Sequence, residues 1–495
     1  MNLCVSASLR EPSFNAFVIL ASLVFGFVNS AFAERPNIIL ILCDDLGYAD
    51  VGFNGSKDIK TPELDQLAKN GTIFSSAYVA HPFCGPSRMG LMTGRYPHVF
   101  GAPFNLPNVN KGLAAYDDQG VPVTETLIST VLKKAGYFTG AVGKWHMGTA
   151  SAFHPNKRGF DDYYGFLGGG HKYFPKEYQP LYEKQVRAGN KRINDYVTPL
   201  EHNGKEVRET EYMTDGLSRE AVRFVKEAAS KDQPFFLYLS YNAPHSPLEA
   251  KEEDLEIFAD IESKDRRTYA AMVYAVDRGV GRLVDTLKKT GKFENSLIIF
   301  LSDNGGKESL GADNGPLREG KGSVFEGGYR VPMFFHWPNH VPAGQRYPHP
   351  VTALDFYPTF ARLAEAKLAA DKRLDGVDIW DDVLAGSNPR RTEFIYALRH
   401  REGYSDVGAR LGQWKICRAY NTKWKLYNLE EDLGEMRDLS WRYPEKLREM
   451  VAQAEAWSRH HTAPDWFDSV KVRDQWNEAE MPNFEETFEI DWRNR

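Results

Sequence analysis

The sequence predicts an α/β protein with a smaller antiparallel sheet towards its C-terminal end, on three observations. Near-continuous apolar runs at residues 37–43, 234–241 and 296–301 have the length and uninterrupted apolarity of buried parallel strands. Amphipathic stretches with start and stop signals alternate with these runs, as helices sandwiching such a sheet do. Beyond residue 391 the pattern changes to four short strands with hairpin-like turns and one amphipathic helix, which fits a small antiparallel sheet packed with a helix. The expected division is therefore a large α/β domain over residues 34–385 and an α+β subdomain over 386–495.

Length and composition agree with that reading. The chain has 495 residues, 42% hydrophobic and 26% charged, enough for a sizeable core. A formal net charge of -6 gives no general attraction to nucleic acid or to anionic membranes, so an anionic ligand needs a local positive pocket. Residues 1–33 read as a secretory leader: Arg10, an apolar run over 17–28, and Ala31-Phe32-Ala33 as a cleavage site. The run is too short for a membrane span, so a secreted or periplasmic mature protein without one is expected. Cys4 leaves with the leader, and Cys43, Cys84 and Cys417 are too few for a disulfide framework.

In chain order, the strand at 37–43 opens into Asp44-Asp45-Leu46-Gly47 at its carboxyl end, where open α/β sheets bind ligands. Two adjacent aspartates repel unless a cation lies between them, and hard oxygens suit Ca²⁺ or Mg²⁺; a cap or turn pair is the plainer alternative. A helix over 61–68 starts at Thr61-Pro62, and another over 124–134, capped by Thr124, stops at Gly136. A short strand over 137–142 then delivers Lys144 and His146, which an extended segment would point to the same side. Residues 159–211 read as a loop-rich insertion over the site, with His171 as a candidate substrate contact. A helix over 215–229 and the strand at 234–241 lead to His245. The helical period over 267–289 precedes the strand ending in Ser302-Asp303-Asn304-Gly305-Gly306. Two strand ends thus offer Asp44, Asp45, Asp303 and Asn304 as hard ligands. Lys321 lies between glycines, ahead of a strand at 331–337 and a helix at 355–366. The C-terminal strands are expected at 394–398, 407–411, 414–419 and 425–429, the helix at 444–457, and a wrapping tail from about 463.

One stretch is hard to explain by packing alone. Residues 84–95 read Cys-Gly-Pro-Ser-Arg-Met-Gly-Leu-Met-Thr-Gly-Arg, with Pro86 suited to a first helical position. Cys84 is thereby set at a helix mouth that favours an anion or a thiolate, and Arg88 falls on the same face.

This segment resembles the type I sulfatase signature C-x-P-S-R-x-x-L-x-T-G-R in full. Four further blocks resemble the family in its order: Asp44-Asp45-Leu46-Gly47, Gly143-Lys144-Trp145-His146, Ser302-Asp303-Asn304-Gly305, and the Gly-Lys-Gly to Arg-Val-Pro passage over 320–332. The Leu-Tyr-Asn-Leu passage at 426–429 resembles the family's C-terminal part. The resemblance implies a large mixed, mostly parallel sheet of the alkaline phosphatase/sulfatase type. It further implies that Cys84 is oxidised to formylglycine by a formylglycine-generating or anaerobic sulfatase-maturing enzyme. Asp44, Asp45, Asp303, Asn304 and the modified Cys84 would hold a divalent cation, calcium rather than magnesium. Arg88 would hold the aldehyde hydrate, Lys144, His245 and Lys321 would bind the sulfuryl group or serve the leaving oxygen, and His146 would assist release of sulfate. A sulfated carbohydrate is the expected substrate. The alternatives are a phosphoester or phosphonate hydrolase of the same superfamily and an inactive glycan-binding homologue.

Overall fold

The computed structural model describes residues 35–107, 119–190, 193–401 and 403–479; the expected leader and its cleavage site lie outside them. β1 (Asn37–Cys43) is buried along its length, as its Ile and Leu content demands. Its side chains alternate between two layers: Ile38, Leu40 and Leu42 enter one core, and Ile39, Ile41 and Cys43 enter the other. The strands that follow are β2 (Thr72–Phe74), β3 (Ala77–Tyr78), β4 (Phe138–Lys144), β5 (Asp162–Phe166), β6 (Leu200–His202), β7 (Lys205–Val207), β8 (Phe235–Ser240), β9 (Ser296–Ser302), β10 (Met333–His336), β11 (Gln345–Tyr347) and β12 (Val351–Thr352).

Ten of these form one sheet in the order β11-β2-β10-β9-β1-β8-β4-β5-β6-β7. Its centre, β9-β1-β8-β4-β5, is parallel throughout. β10 runs antiparallel to β9 and to β2, and β6 runs antiparallel to β5 and to β7, so the sheet is mixed, as expected. The carboxyl ends of β1, β4, β8 and β9 open on one edge.

The helices are α1 (Pro62–Lys69), α2 (Cys84–Thr93), α3 (Ile128–Lys134), α4 (Pro175–Arg187), α5 (Met213–Ala229), α6 (Glu252–Glu256), α7 (Lys264–Lys289), α8 (Glu326–Tyr329), α9 (Phe356–Leu363) and α10 (Trp380–Ala385). α1, α5 and α7 bury their apolar stripes in the layer of Ile39, while α2, α3 and α9 serve the opposite one. α7 is capped by Ser263, whose hydroxyl accepts the Arg266 N–H at 3.4 Å.

Two expectations are corrected here. α3 starts at Ile128, after an extended Leu127, because residues 121–125 form a turn with the Glu125 N–H on the Pro122 carbonyl; Thr124 caps nothing. The segment 159–211 is more ordered than a loop-rich insertion: it contains β5, α4 and the β6-β7 hairpin, which extend the main sheet.

The C-terminal sheet is β13 (Ile395–His400), β14 (Ser405–Leu411), β15 (Trp414–Arg418) and β16 (Lys425–Asn428), antiparallel throughout. α11 (Pro444–Ser458) and α12 (Val470–Glu478) follow. The expected boundary at 385/386 falls at the end of α10, but no gap in packing marks it. Leu398, Val407, Ile416 and Val451 share one continuous core with Leu40 and Met89. At the seam, the Lys415 ammonium is fully buried between Glu326 at 3.0 Å and Glu435 at 2.8 Å. Nearby, the imidazole of His98 lies 5.5 Å from His81, 5.3 Å from His400 and 5.1 Å from His461.

Candidate active site

The first residue of α2 is Cys84, not Pro86, and all ten residues of this helix are buried. Phe83 offers no side-chain cap. Instead Asn105, from a distant loop, accepts the Gly85 N–H at 2.9 Å through its Oδ1, which also lies 3.7 Å from Cys84 Sγ. A Cβ at position 85 would land 2.8 Å from that Oδ1, so a larger residue there would displace the Asn105 amide from the helix mouth. The thiolate expected from the helix dipole is not favoured: burial raises the Cys84 pKa, although Lys144 and Lys321 pull it down.

One turn on, Arg88 is completely buried and joins the strand ends. Its Nε donates to Asp303 Oδ2 at 2.8 Å, and the guanidinium also meets the Ser240 hydroxyl and, at 3.3 Å, Tyr238 and the Lys144 carbonyl. The carboxylates come from the carboxyl ends of β1 and β9. Lys144 Nζ lies 2.5 Å from Asp44 Oδ2. Lys321 Nζ lies 2.6 Å and 2.7 Å from the two oxygens of Asp45, and Asn304 Nδ2 donates to Asp45 Oδ1 at 2.7 Å. Burial works against ionisation of Asp45, yet Lys321 and His245 hold its pKa below the usual carboxylate value. Burial and the neighbouring Asp44 push Asp303 up to about 6.

This donor set fits a hard divalent cation. Asp44 Oδ1 and Asn304 Oδ1 are both buried with no hydrogen-bond partner, beside the carboxylates of Asp45 and Asp303. Donor atoms of Asp44, Cys84 and Asp303 lie within 4.8 Å of one another, as do those of Asp44, Asp45 and His245. Orphaned buried oxygens of this kind call for a cation or equivalent donors.

Lys144 and His146 do converge on the site, but not through strand alternation. Lys144 ends β4, Trp145 turns into the core, and His146 adopts a left-handed φ of 58° that returns its ring towards α2. The absence of a side chain at Gly169 makes room, since a Cβ there would sit 2.7 Å from His146 Nε2. His146 Nδ1 is buried without a partner. Burial, reinforced by Lys144 and Arg88, holds this ring neutral. His245 Nδ1 donates to the Ser246 carbonyl at 2.7 Å, which leaves Nε2 as a bare lone pair 3.7 Å from Asp45. Burial and Lys321 lower its pKa to about 3.

His171 does not present itself to a ligand. Its ring is buried, with Nδ1 and Nε2 each 2.7 Å from a backbone carbonyl, those of Lys172 and Thr198, so it ties the 168–171 turn to the neighbouring loop. Sequence reasoning missed Asn105, Tyr238 and Ser240, and also Tyr196, whose ring lies 6.3 Å from that of His245. Asn105 and Tyr196 sit in no motif. Ser240 stands at the end of a strand already identified as core, which was a usable signal.

A buried cradle of three cationic side chains and two neutral imidazoles around Cys84 at the helix mouth, backed by hard oxygen donors, fits the class of hydrolases that act on anionic esters. Within that class the chain belongs to the sulfatase family, whose model, described as "Sulfatase", matches residues 36–366. A second model, "N-sulphoglucosamine sulphohydrolase, C-terminal", matches residues 320–456. Mouse N-acetylgalactosamine-6-sulfatase is 34% identical over 409 residues, 80% of this chain and 75% of that protein. Among solved structures, Ps i-CgsB in complex with k-i-k-neocarrahexaose is 58% identical with a TM-score of 0.89, covering 92% of this chain and 100% of that one. The phosphonate monoester hydrolase of Agrobacterium radiobacter, at 22% identity and a TM-score of 0.59 over 85% of this chain and 96% of its own, shares the fold. The chain is accordingly a sulfuric ester hydrolase.

Proposed function

We propose that this protein removes sulfate from a carrageenan-type galactan oligosaccharide, using formylglycine at position 84 and a calcium ion. The observation that carries the substrate class is the 58% identity over 92% of the chain to a protein solved with a neocarrahexaose. The convergence of Arg88, Lys144, His146, His245 and Lys321 on Cys84 supports the reaction. Calcium held by Asp44, Asp45, Asp303 and Asn304 would neutralise negative charge on the sulfuryl oxygens. The hydrated aldehyde at position 84 would supply two hydroxyls on one carbon, one to attack sulfur and one whose deprotonation releases sulfate.

The chain's own groups account for the rest. Arg88, fixed by Asp303 and Ser240, orients the hydrate. Lys144 and Lys321 leave their carboxylate partners to bind the sulfuryl oxygens, where fixed charges in a dry site stabilise the developing charge. Lys321, kept protonated by Asp45, donates a hydrogen bond to the leaving sugar oxygen, and His245, which gains a proton only when the bound sulfate offsets its neighbouring cations, passes that proton to it to form the alcohol. His146, neutral and with a free Nδ1, accepts the hydroxyl proton in the release step. Water and the ester thus become alcohol and sulfate. The protein is further proposed to act in the periplasm or outside the cell, after a maturation enzyme has oxidised Cys84 and the leader has been cut after Ala33. No helix among the described residues is long and apolar enough to cross a membrane.

The test is sulfate release from defined carrageenan, ulvan and glycosaminoglycan oligosaccharides, beside paired aryl sulfate and aryl phosphate. Wild-type protein releases sulfate from the carrageenan set, and calcium chelation abolishes this. Cys84→Ala lowers kcat on the order of 10³-fold or more. Phosphate-only turnover, or full activity in Cys84→Ala, refutes the mechanism. Mass spectrometry of the peptide containing residue 84 reports the aldehyde directly.

A further inference from the structure

Beside the nucleophile lies a second concavity that the reaction does not use. It is a cavity of about 360 Å³ whose walls come from the segment before α2, the loop carrying Asn105, the end of β13 and the C-terminal tail. Asn105 is the shared wall, since it lines the cavity and touches both Cys84 and Gly85. Phe83, Phe104 and Tyr404 give it aromatic faces, and Arg399 and Arg401 give it charge.

Arg399 is the informative residue. Among the described residues it has no carboxylate within ion-pair distance; one Nη1–H donates to the Gly322 carbonyl at 2.7 Å, and its guanidinium lies over the Phe83 ring at 4.7 Å. Arg401, by contrast, is paired with Asp406. Burial and the neighbouring Arg401 lower the Arg399 pKa to about 10, so this cation is held against an electrostatic cost. A guanidinium with no carboxylate in ion-pair contact, its burial offset only in part by the more distant Asp406 and Asp468, stacked on an aromatic ring and opening into a cavity, is a site for a planar or tetrahedral oxyanion. Asp468, also on the wall, has one buried carboxylate oxygen with no partner, which suits a sugar hydroxyl.

We propose that this cavity is an anion subsite that binds a second sulfate of the same oligosaccharide, with Arg399 as the residue that selects multiply sulfated chains. The proposal rests on the sulfated-carbohydrate reading above. The aromatic faces take the sugar ring beside the one being cleaved, and Arg399 reads its sulfate through the N–H groups not used by Gly322. Because Gly322 follows Lys321, a purely structural effect of altering Arg399 would fall on every substrate alike.

The test compares kcat/KM for two carrageenan oligosaccharides that differ only in one sulfate flanking the scissile position, in wild type, Arg399→Ala and Arg399→Lys. Wild type prefers the more sulfated oligosaccharide. Arg399→Ala reduces that preference about 10-fold, chiefly through KM, and Arg399→Lys restores part of it. In wild type alone, KM for the more sulfated member rises more steeply with salt. An equal fall on both substrates, or equal salt slopes, overturns the subsite. A uronate-bearing oligosaccharide that replaces the second sulfate with equal preference assigns the cavity to carboxylates instead and also overturns it. If wild type cleaves aryl sulfate but neither oligosaccharide, the carbohydrate reading itself fails, an outcome distinct from the others.

Discussion

Single side chains carry two kinds of work in this site, and His171 and His146 divide them. His146 keeps a buried nitrogen free beside the start of α2, whereas His171 has both nitrogens against backbone carbonyls. His171→Phe is therefore expected to lower unfolding free energy by about 1–3 kcal/mol through the unpaired carbonyls, with KM for the oligosaccharide changed less than about twofold. Thermal denaturation together with steady-state kinetics checks it; a large KM increase at unchanged stability would restore a substrate role. The sequence motifs singled out Asp44, Asp45, Asp303 and Asn304, which the structure brings together, because hard oxygen donors at the end of an apolar strand are a local pattern. Asn105 was invisible, since its role depends on a loop returning to the mouth of α2 from 20 residues away.

At the scale of elements, the strong apolar periods of β1, β8, β9 and α7 were legible because each is buried along its length or along one stripe. β5 was not, since Asp162-Tyr163-Tyr164-Gly165-Phe166 mixes a charge and a glycine into a strand that is nonetheless fully buried. The Asp162 charge is met there by Arg223 and His202, partners that only the fold supplies. Nor does local sequence announce that β10 runs antiparallel. Caps separate the same way. Ser263→Ala removes an observed cap of α7 and is expected to cost about 1 kcal/mol, whereas Thr124→Ala, outside α3, stays within about 0.5 kcal/mol of wild type. Urea denaturation of the two variants discriminates these; equal losses would mean that Thr124 does cap.

For the whole molecule, the C-terminal sheet is less a second domain than a buttress of the first. The Gly-Ser-Asn-Pro-Arg-Arg turn at 386–391 precedes β13 in sequence, but the shared core and the burial of Lys415 between Glu326 and Glu435 are tertiary facts with no sequence period. The same seam supplies Arg399 and the tail to the cavity beside Cys84. Subdomain and active site are thus one mechanical unit.

The histidines around His98 at that seam have a further consequence, in protons. Burial holds His81, His98, His400 and His461 below the ordinary imidazole value, His98 at about 3. The unfolded chain binds these protons near pH 6.5 and the folded chain does not, so stability present above that pH is lost as the pH falls below it. Each such ring contributes up to about 1.4 kcal/mol per pH unit. Tm is expected to decline below pH 6.5, and His98→Phe to flatten that decline by roughly one proton; identical slopes for the two proteins would refute the linkage. Acid thus loosens the seam through these four rings, which makes it a proton-set latch on the working temperature of the enzyme.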